Sequence, residues 1–333
     1  MSTSQRFVSG HGGVQLAVTE WGSADDARPT VLLVHGYPDT SSMWEPVAEL
    51  LAPRYHVVAY DVRGAGRSAS PGRTRDYRLD ALVGDMAAVA DAVSPGRQVH
   101  LVGHDWGSIQ GWEAVCTDPG RFASYTSFFA PGLDHVAVWL RHRMTHPSPH
   151  NLGQLIEQEI HSWYIVAFHL PGAGLVWKLG LGQRWPKLVA RLEKVPPSPT
   201  YPAPTIAEDG ARGVKLYRAN FRRRLLFPHP KQTTVPVQAI VAVRDHYVTE
   251  GLSEGLERWV PDKLWRTEVM AGHWLPRTDP KLSADYITEL VDHIEGGPQS
   301  PRLGRSRLGI GLPPAGTWGV TSTTSARATP STV

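Results

Sequence analysis

Val99-His100-Leu101-Val102-Gly103-His104-Asp105-Trp106-Gly107-Ser108 is the stretch on which the fold turns. Val99–Val102 is a continuous apolar run, as expected of a strand buried on both faces of a parallel sheet. Trp106–Cys116 has helical spacing. Between them, Gly103, Asp105 and Gly107 form the pattern small–x–acid–x–small. That pattern belongs to a strand–turn–helix elbow, which lifts one strained residue above the sheet. The turn leaves no room for side chains beside the central residue, hence the glycines. The following helix presents its N-terminus, whose dipole favours an anion. The displayed residue is a carboxylate. It is ionised at neutral pH and needs no base to activate it. It suits displacement at an sp³ carbon of an epoxide or alkyl halide, giving an ester that water must then cleave. A serine there would suit acyl transfer. The competing reading of Asp105 is an ordinary helix cap.

The surrounding chain repeats the same alternation. Thr30–Val34, Tyr55–Tyr60, Ser124–Phe129, Val235–Val243 and Leu264–Met270 read as strands. Ser41–Leu51, Leu79–Val93 and Leu282–Ile294 read as helices. Val14–Trp21 follows the turn signal His11-Gly12-Gly13 and predicts an opening hairpin. Alternating strands and helices imply a parallel sheet covered on both faces. The rhythm stops between about Leu133 and Thr234, where the text is helical and rich in Trp, His, Arg and Pro. The division expected is an α/β core at 1–132 and 235–296, a helical cap at 133–234, and a disordered Gly/Pro/Ser/Thr/Arg tail at 297–333. Gly309 and Gly311 lack a strand–loop–helix context, so no dinucleotide site is read there.

Composition excludes several classes. The 333-residue chain has net charge +3, but Arg302, Arg305, Arg307 and Arg327 stand in a tail without acids. The remainder is near −1, so no nucleic-acid partner is expected. One cysteine, Cys116, allows no internal disulfide. The start, Met1–Phe7, has no apolar signal core, and no run of about 18 apolar residues appears. These features lead to the expectation of a cytoplasmic protein without a membrane span; they leave oligomeric state open.

Chain order supplies partners for Asp105. His273, in Ala271-Gly272-His273-Trp274, follows the last strand and is the candidate base. Asp245, at the end of Val235–Val243, is the candidate acid that orients it, with Asp134 as the rival. His35-Gly36-Tyr37-Pro38 follows an earlier buried strand. The backbone N–H groups of Tyr37 and Trp106 are the candidate oxyanion hole.

Together these motifs resemble the epoxide hydrolases of the α/β-hydrolase superfamily, in the branch with an Asp nucleophile. The marks are His-Gly-x-Pro at His35–Pro38, Gly-His-Asp-Trp-Gly at Gly103–Gly107 and Gly-His-Trp at Gly272–Trp274. The likeness runs from about Phe7 to Ile294. It implies an α/β-hydrolase fold, a mostly parallel sheet with helices on both faces and an inserted helical cap. It also implies two cap tyrosines that hold and protonate the epoxide oxygen. Tyr164 holds the matching place in Ser162–Gly172, and Tyr217 in Leu216–Asn220. His35, Trp106 and Trp274 are expected to border an apolar epoxide, and no cofactor or metal is implied. Haloalkane dehalogenases share the Asp-Trp elbow, but in many an Asn follows His-Gly, where this chain has Tyr37. That reaction remains the alternative, and a non-catalytic ligand-binding member of the fold is a third reading. Thr126–Val136 and Val214–Phe221 look closest to the hydrolase half of bacterial hydrolase/short-chain-dehydrogenase fusions. With the low-complexity tail following instead, no oxidoreductase activity is expected. Ser108 departs from the Gly common in the family, which implies altered packing under the elbow.

Overall fold

The computed structural model describes residues 3–22, 28–196 and 198–308. The chain opens with the hairpin β1 (Thr3–Ser9) and β2 (Gln15–Trp21), paired antiparallel from Thr3↔Trp21 to Ser9↔Gln15. Then follow β3 (Thr30–Val34), α1 (Glu45–Leu51), β4 (His56–Tyr60), α2 (Leu79–Val93), β5 (Val99–His104), α3 (Trp106–Thr117) and β6 (Phe122–Phe128). Five helices come next: α4 (Leu133–Thr145), α5 (Pro149–His169), α6 (Ala173–Val176), α7 (Gly182–Leu192) and α8 (Ile206–Leu226). The core resumes with β7 (Val237–Ala242), β8 (Leu264–Val269), α9 (Leu275–Thr278) and α10 (Pro280–Ile294), and α11 (Pro301–Ser306) ends the described chain.

The eight strands form one sheet in the order β1-β2-β4-β3-β5-β6-β7-β8. All pairs from β4 to β8 are parallel. Alternation along each strand divides the core in two. Leu32, Val34, Val58 and Leu101 face α2 and α3, while Val31, Leu33, Val57 and Val102 face α1 and α10. A strand with helices on both sides has no face left for water, which is why β3 and β5 are buried throughout. Parallel strands also end at one edge, and ligand sites of open α/β sheets gather there. Asp105 follows β5, Asp245 follows β7 and His273 follows β8, so topology brings to one rim residues far apart in sequence.

The expectation of a disordered tail from 297 onward fails over α11. Ser300 caps that helix by accepting from the Leu303 N–H at 3.1 Å. Leu303 is buried against Trp265 and Leu290, and Arg302 pairs with Glu289 at 2.9 Å. One well-placed leucine and a cap outweigh a composition that reads as disordered. The rest of that expectation, with Gly309 and Gly311, lies outside the described residues.

Candidate active site

Asp105 has φ 52° and ψ −118°, a conformation that L-residues avoid and that marks stored strain. The glycines around it are needed for space. A Cβ on Gly103 would stand 2.5 Å from the Gly107 carbonyl oxygen, and one on Gly107 would stand 2.1 Å from that of Val34. Gly36 passes the Asp105 side chain, with a Cβ there only 2.3 Å from Asp105 Oδ1. Beneath the turn, the Ser108 hydroxyl donates to the Ala130 carbonyl at 2.6 Å and meets the hydroxyls of Tyr125 and Ser127. The departure from Gly at this position therefore fills a buried polar network.

The Tyr37 N–H donates to Asp105 Oδ1 at 2.7 Å, and the Trp106 N–H also bonds the carboxylate. Burial pushes the Asp105 carboxyl up from the usual carboxylate range, while the His273 charge and these two N–H groups pull it down. His273 Nδ1 donates to Asp245 Oδ2 at 2.7 Å, and its Nε2 lies 3.8 Å from Asp105 Oδ2. The second separation fits an ion pair and exceeds a hydrogen bond. The His273 imidazole is held at about 9: burial opposes its charge, and Asp245, Asp105 and Glu193 together outweigh burial. Asp245 Oδ1 accepts from the N–H groups of Tyr247 and Val248 at 2.7 and 3.0 Å, which aims the other oxygen at the imidazole. Asp134, the rival acid, is engaged elsewhere. It accepts from Arg224 and from the His229 N–H, both at 3.0 Å.

The two cap tyrosines come from different helices, Tyr164 from α5 and Tyr217 from α8. Their ring centroids are 6.0 Å apart and their planes cross at 83°. Both phenols stay protonated well above the ordinary range, first through burial; the Asp105 charge comes next for Tyr164, and Tyr164 and then Asp105 for Tyr217. The Tyr217 ring also meets that of Trp106 edge-on, with centroids 5.0 Å apart. Tyr37 joins the cluster, its hydroxyl donating to the Gly210 carbonyl on α8 at 2.8 Å.

Two residues expected to border substrate are occupied otherwise. His35 accepts the Val62 N–H on Nε2 at 2.8 Å and donates from Nδ1 to the Gly36 carbonyl at 2.8 Å. Both ring nitrogens brace the loop, and none is left for a ligand. The indole N–H of Trp274 donates to Asp39 at 2.9 Å, while its ring packs 4.8 Å from that of His273. Sequence reasoning missed Asp39, a buried acid that also accepts from the Tyr201 hydroxyl at 2.7 Å and is pushed up to about 6 by burial. It missed His104 too, whose Nε2 donates to the His273 carbonyl at 2.8 Å and so braces that residue's backbone. Burial keeps His104 neutral. Its position inside the elbow motif was the only signal available. Among the described residues no group of three or more His, Cys, Asp or Glu side chains is arranged to hold a metal ion.

A family model described as the alpha/beta hydrolase fold matches residues 29–280. The chain belongs to the α/β-hydrolase fold family. A protein of Mycobacterium tuberculosis named "Probable oxidoreductase EphD" is 35% identical over 315 residues, covering 91% of this chain and 52% of that protein. The chain thus spans about half the length of that relative. An "Epoxide hydrolase" of Caballeronia sordidicola is 29% identical, with 88% of this chain and 90% of that protein covered. Among solved structures, an epoxide hydrolase from Bacillus megaterium superposes with a TM-score of 0.72 at 21% identity, over 86% of this chain and 100% of the other. At that identity the superposition speaks for this α/β-hydrolase fold alone.

Proposed function

We propose that this α/β hydrolase adds water to an epoxide, giving a vicinal diol through an ester on Asp105. One observation carries the reading: two phenols from different helices, half-buried Tyr164 and buried Tyr217, stand with ring centroids 6.0 Å apart, and the Tyr217 ring meets that of Trp106, the residue after Asp105. Opening an epoxide places charge on an oxygen that stays in the product and must be protonated, and a phenol is a sufficient acid for an alkoxide. The name of the Caballeronia relative supports the same reaction class.

In the first step an Asp105 oxygen forms a bond to an epoxide carbon while the carbon–oxygen bond breaks. Tyr164 or Tyr217 gives its proton to the departing oxygen. Esterification removes the Asp105 charge, and with it one of the contributions that hold His273 protonated. The His273 cation then gives its proton to the tyrosinate left by the first step, and the neutral imidazole takes a proton from water, its new cation stabilised by Asp245. The resulting hydroxide attacks the ester carbonyl, and the N–H groups of Tyr37 and Trp106, already bonded to the carboxylate, receive the oxyanion. Collapse frees the diol and restores Asp105. The proton of the attacking hydroxide ends on the leaving alkoxide, the tyrosine has its proton back and His273 is again a cation, so epoxide and water balance the product.

Halide release from a haloalkane is the second reading, favoured by the Trp106 indole. Here that indole packs edge-on against the Tyr217 ring, 5.0 Å between centroids, and the Tyr37 hydroxyl is committed to the Gly210 carbonyl. The deciding experiment is a single turnover of an aryl epoxide in heavy-oxygen water. The label should enter Asp105 and appear in the diol only on later turnovers. Label found directly in the first diol would remove the ester, and halide release without epoxide opening would favour the second reading.

A further inference from the structure

We propose that the outer face of the cap, centred on the corner between α5 and α6, docks on an anionic lipid surface. The proposal goes beyond the epoxide reading and does not depend on it.

Helix α5 is apolar on two sides. Tyr164, Ile165 and Phe168 pack inward against the core. Leu152, Ile156, Ile160, Trp163, Val166 and Leu170 are all exposed. Their spacing of three and four residues places them on one helical stripe. Trp163 is 69% exposed, and past Gly172 the apolar surface continues to Leu179, which is 84% exposed. Scattered apolar residues on a surface are ordinary, but a stripe of this length on one helix marks an interaction site. Among the described residues no single helix is long and apolar enough to cross a membrane. The pair Pro149–His169 and Ala173–Leu192 has the length and composition, yet it is bent by 102°. A sharply bent apolar pair is suited to lying in the headgroup region, with a tryptophan at that level.

Charge selects the occupant. Residues 133–234 hold fourteen Lys and Arg against six Asp and Glu, a net of +8, while the whole chain carries only +3. The rest of the chain is therefore at −5, so the segment that carries the stripe is basic and the remainder acidic. The Arg218 guanidinium donates to the carbonyls of Phe168 and Leu170, at 2.7 and 2.6 Å, which fixes a cation at the corner itself. Arg184, Lys187 and Arg191, exposed on α7 at helical spacing, form no ion pair among the described residues. Two copies meeting through this face would oppose like-charged segments. An anionic bilayer offers both an apolar interior for the stripe and negative headgroups for the cations.

The test uses the full 333-residue protein and no substrate. Vesicles of phosphatidylcholine alone are compared with vesicles of equimolar phosphatidylcholine and phosphatidylglycerol in a sedimentation assay. The protein should pellet with the second set, and high salt should weaken binding. Trp163→Gln combined with Leu179→Gln should lower partitioning about tenfold or more by removing inserted apolar surface. Arg184→Glu combined with Lys187→Glu should abolish the preference for phosphatidylglycerol, about tenfold. Circular dichroism and turnover of a water-soluble epoxide, both unchanged, establish that each variant is folded. Failure of the parent to bind phosphatidylglycerol vesicles overturns the proposal, as does unaltered binding by both variants. Light scattering that finds a dimer dissolved by Leu179→Gln would assign the face to a second copy and overturn it too. A parent without epoxide turnover would sink the epoxide reading and leave the vesicle result standing.

Discussion

Replacing Asp105 by Asn should turn His273 from a resting cation into a base near neutrality. Asn keeps the size of the side chain and mimics the uncharged ester. Asp105 Oδ2 lies 3.8 Å from Nε2 in a site almost closed to water. At an effective dielectric of about 20, a full charge at that distance is worth about 4 kcal/mol. Reorganisation of the loop and residual solvent should leave about 2 kcal/mol, more than a tenfold change in the protonation equilibrium. The imidazole, held at about 9 in the parent, should then titrate at distinctly lower pH, while Asp245 still opposes burial. The sign is fixed: losing a nearby anion disfavours the cation. The assay is an NMR titration with ring-labelled histidine, the His273 signal being assigned by its absence in His273→Gln. Fifteen histidines make that assignment necessary. An unchanged or higher midpoint in Asp105→Asn would show that Asp105 does not hold His273 protonated, and the timing proposed for base activation would fall with it.

His273→Gln should separate the two half-reactions, so intact mass spectrometry should find protein plus one substrate; a folded variant that neither turns over nor alkylates refutes the assignment of the base. Asp245→Asn should slow ester hydrolysis by about 10²-fold or more, whereas Asp134→Asn, which disturbs only the Arg224 and His229 contacts, should not; the reverse ranking in pre-steady-state kinetics would exchange the two acids. Single Tyr164→Phe and Tyr217→Phe changes should slow alkylation by about 10²-fold, in the range for losing a general acid, and the double variant should be nearly inactive; parental epoxide opening by the double variant would dismiss the phenols as acids. Ser108→Ala should lower stability by about 1–3 kcal/mol, because buried polar partners lose a hydrogen bond; thermal melting at the parent temperature would show that the network under the elbow carries no such weight.

The elbow was legible because its constraints are local. A buried strand, two glycines and a helix start lie within a few residues, and the clash distances at Gly103 and Gly107 show why other side chains are excluded. The alternating strand–helix text likewise gave parallel order, since right-handed crossovers leave few other topologies. Helices were legible in 133–234 because their apolar period differs from that of strands.

The sequence by itself determined the sheet, the helical insertion, the displayed carboxylate and the chain order of its partners. Tertiary structure decided what depends on contacts between distant residues. Asp134 and Asp245 both follow strands, and only the fold sets Asp245 against His273 and Asp134 against Arg224. His35 and Trp274 sit in site motifs, yet hydrogen bonds to Val62 and to Asp39 commit their ring nitrogens to support. Leu303 stands in a polar tail and is ordered by a groove made from Trp265 and Leu290. A side chain's polar partners and the surface that buries it are supplied by residues tens to hundreds of positions away, and no local pattern encodes them.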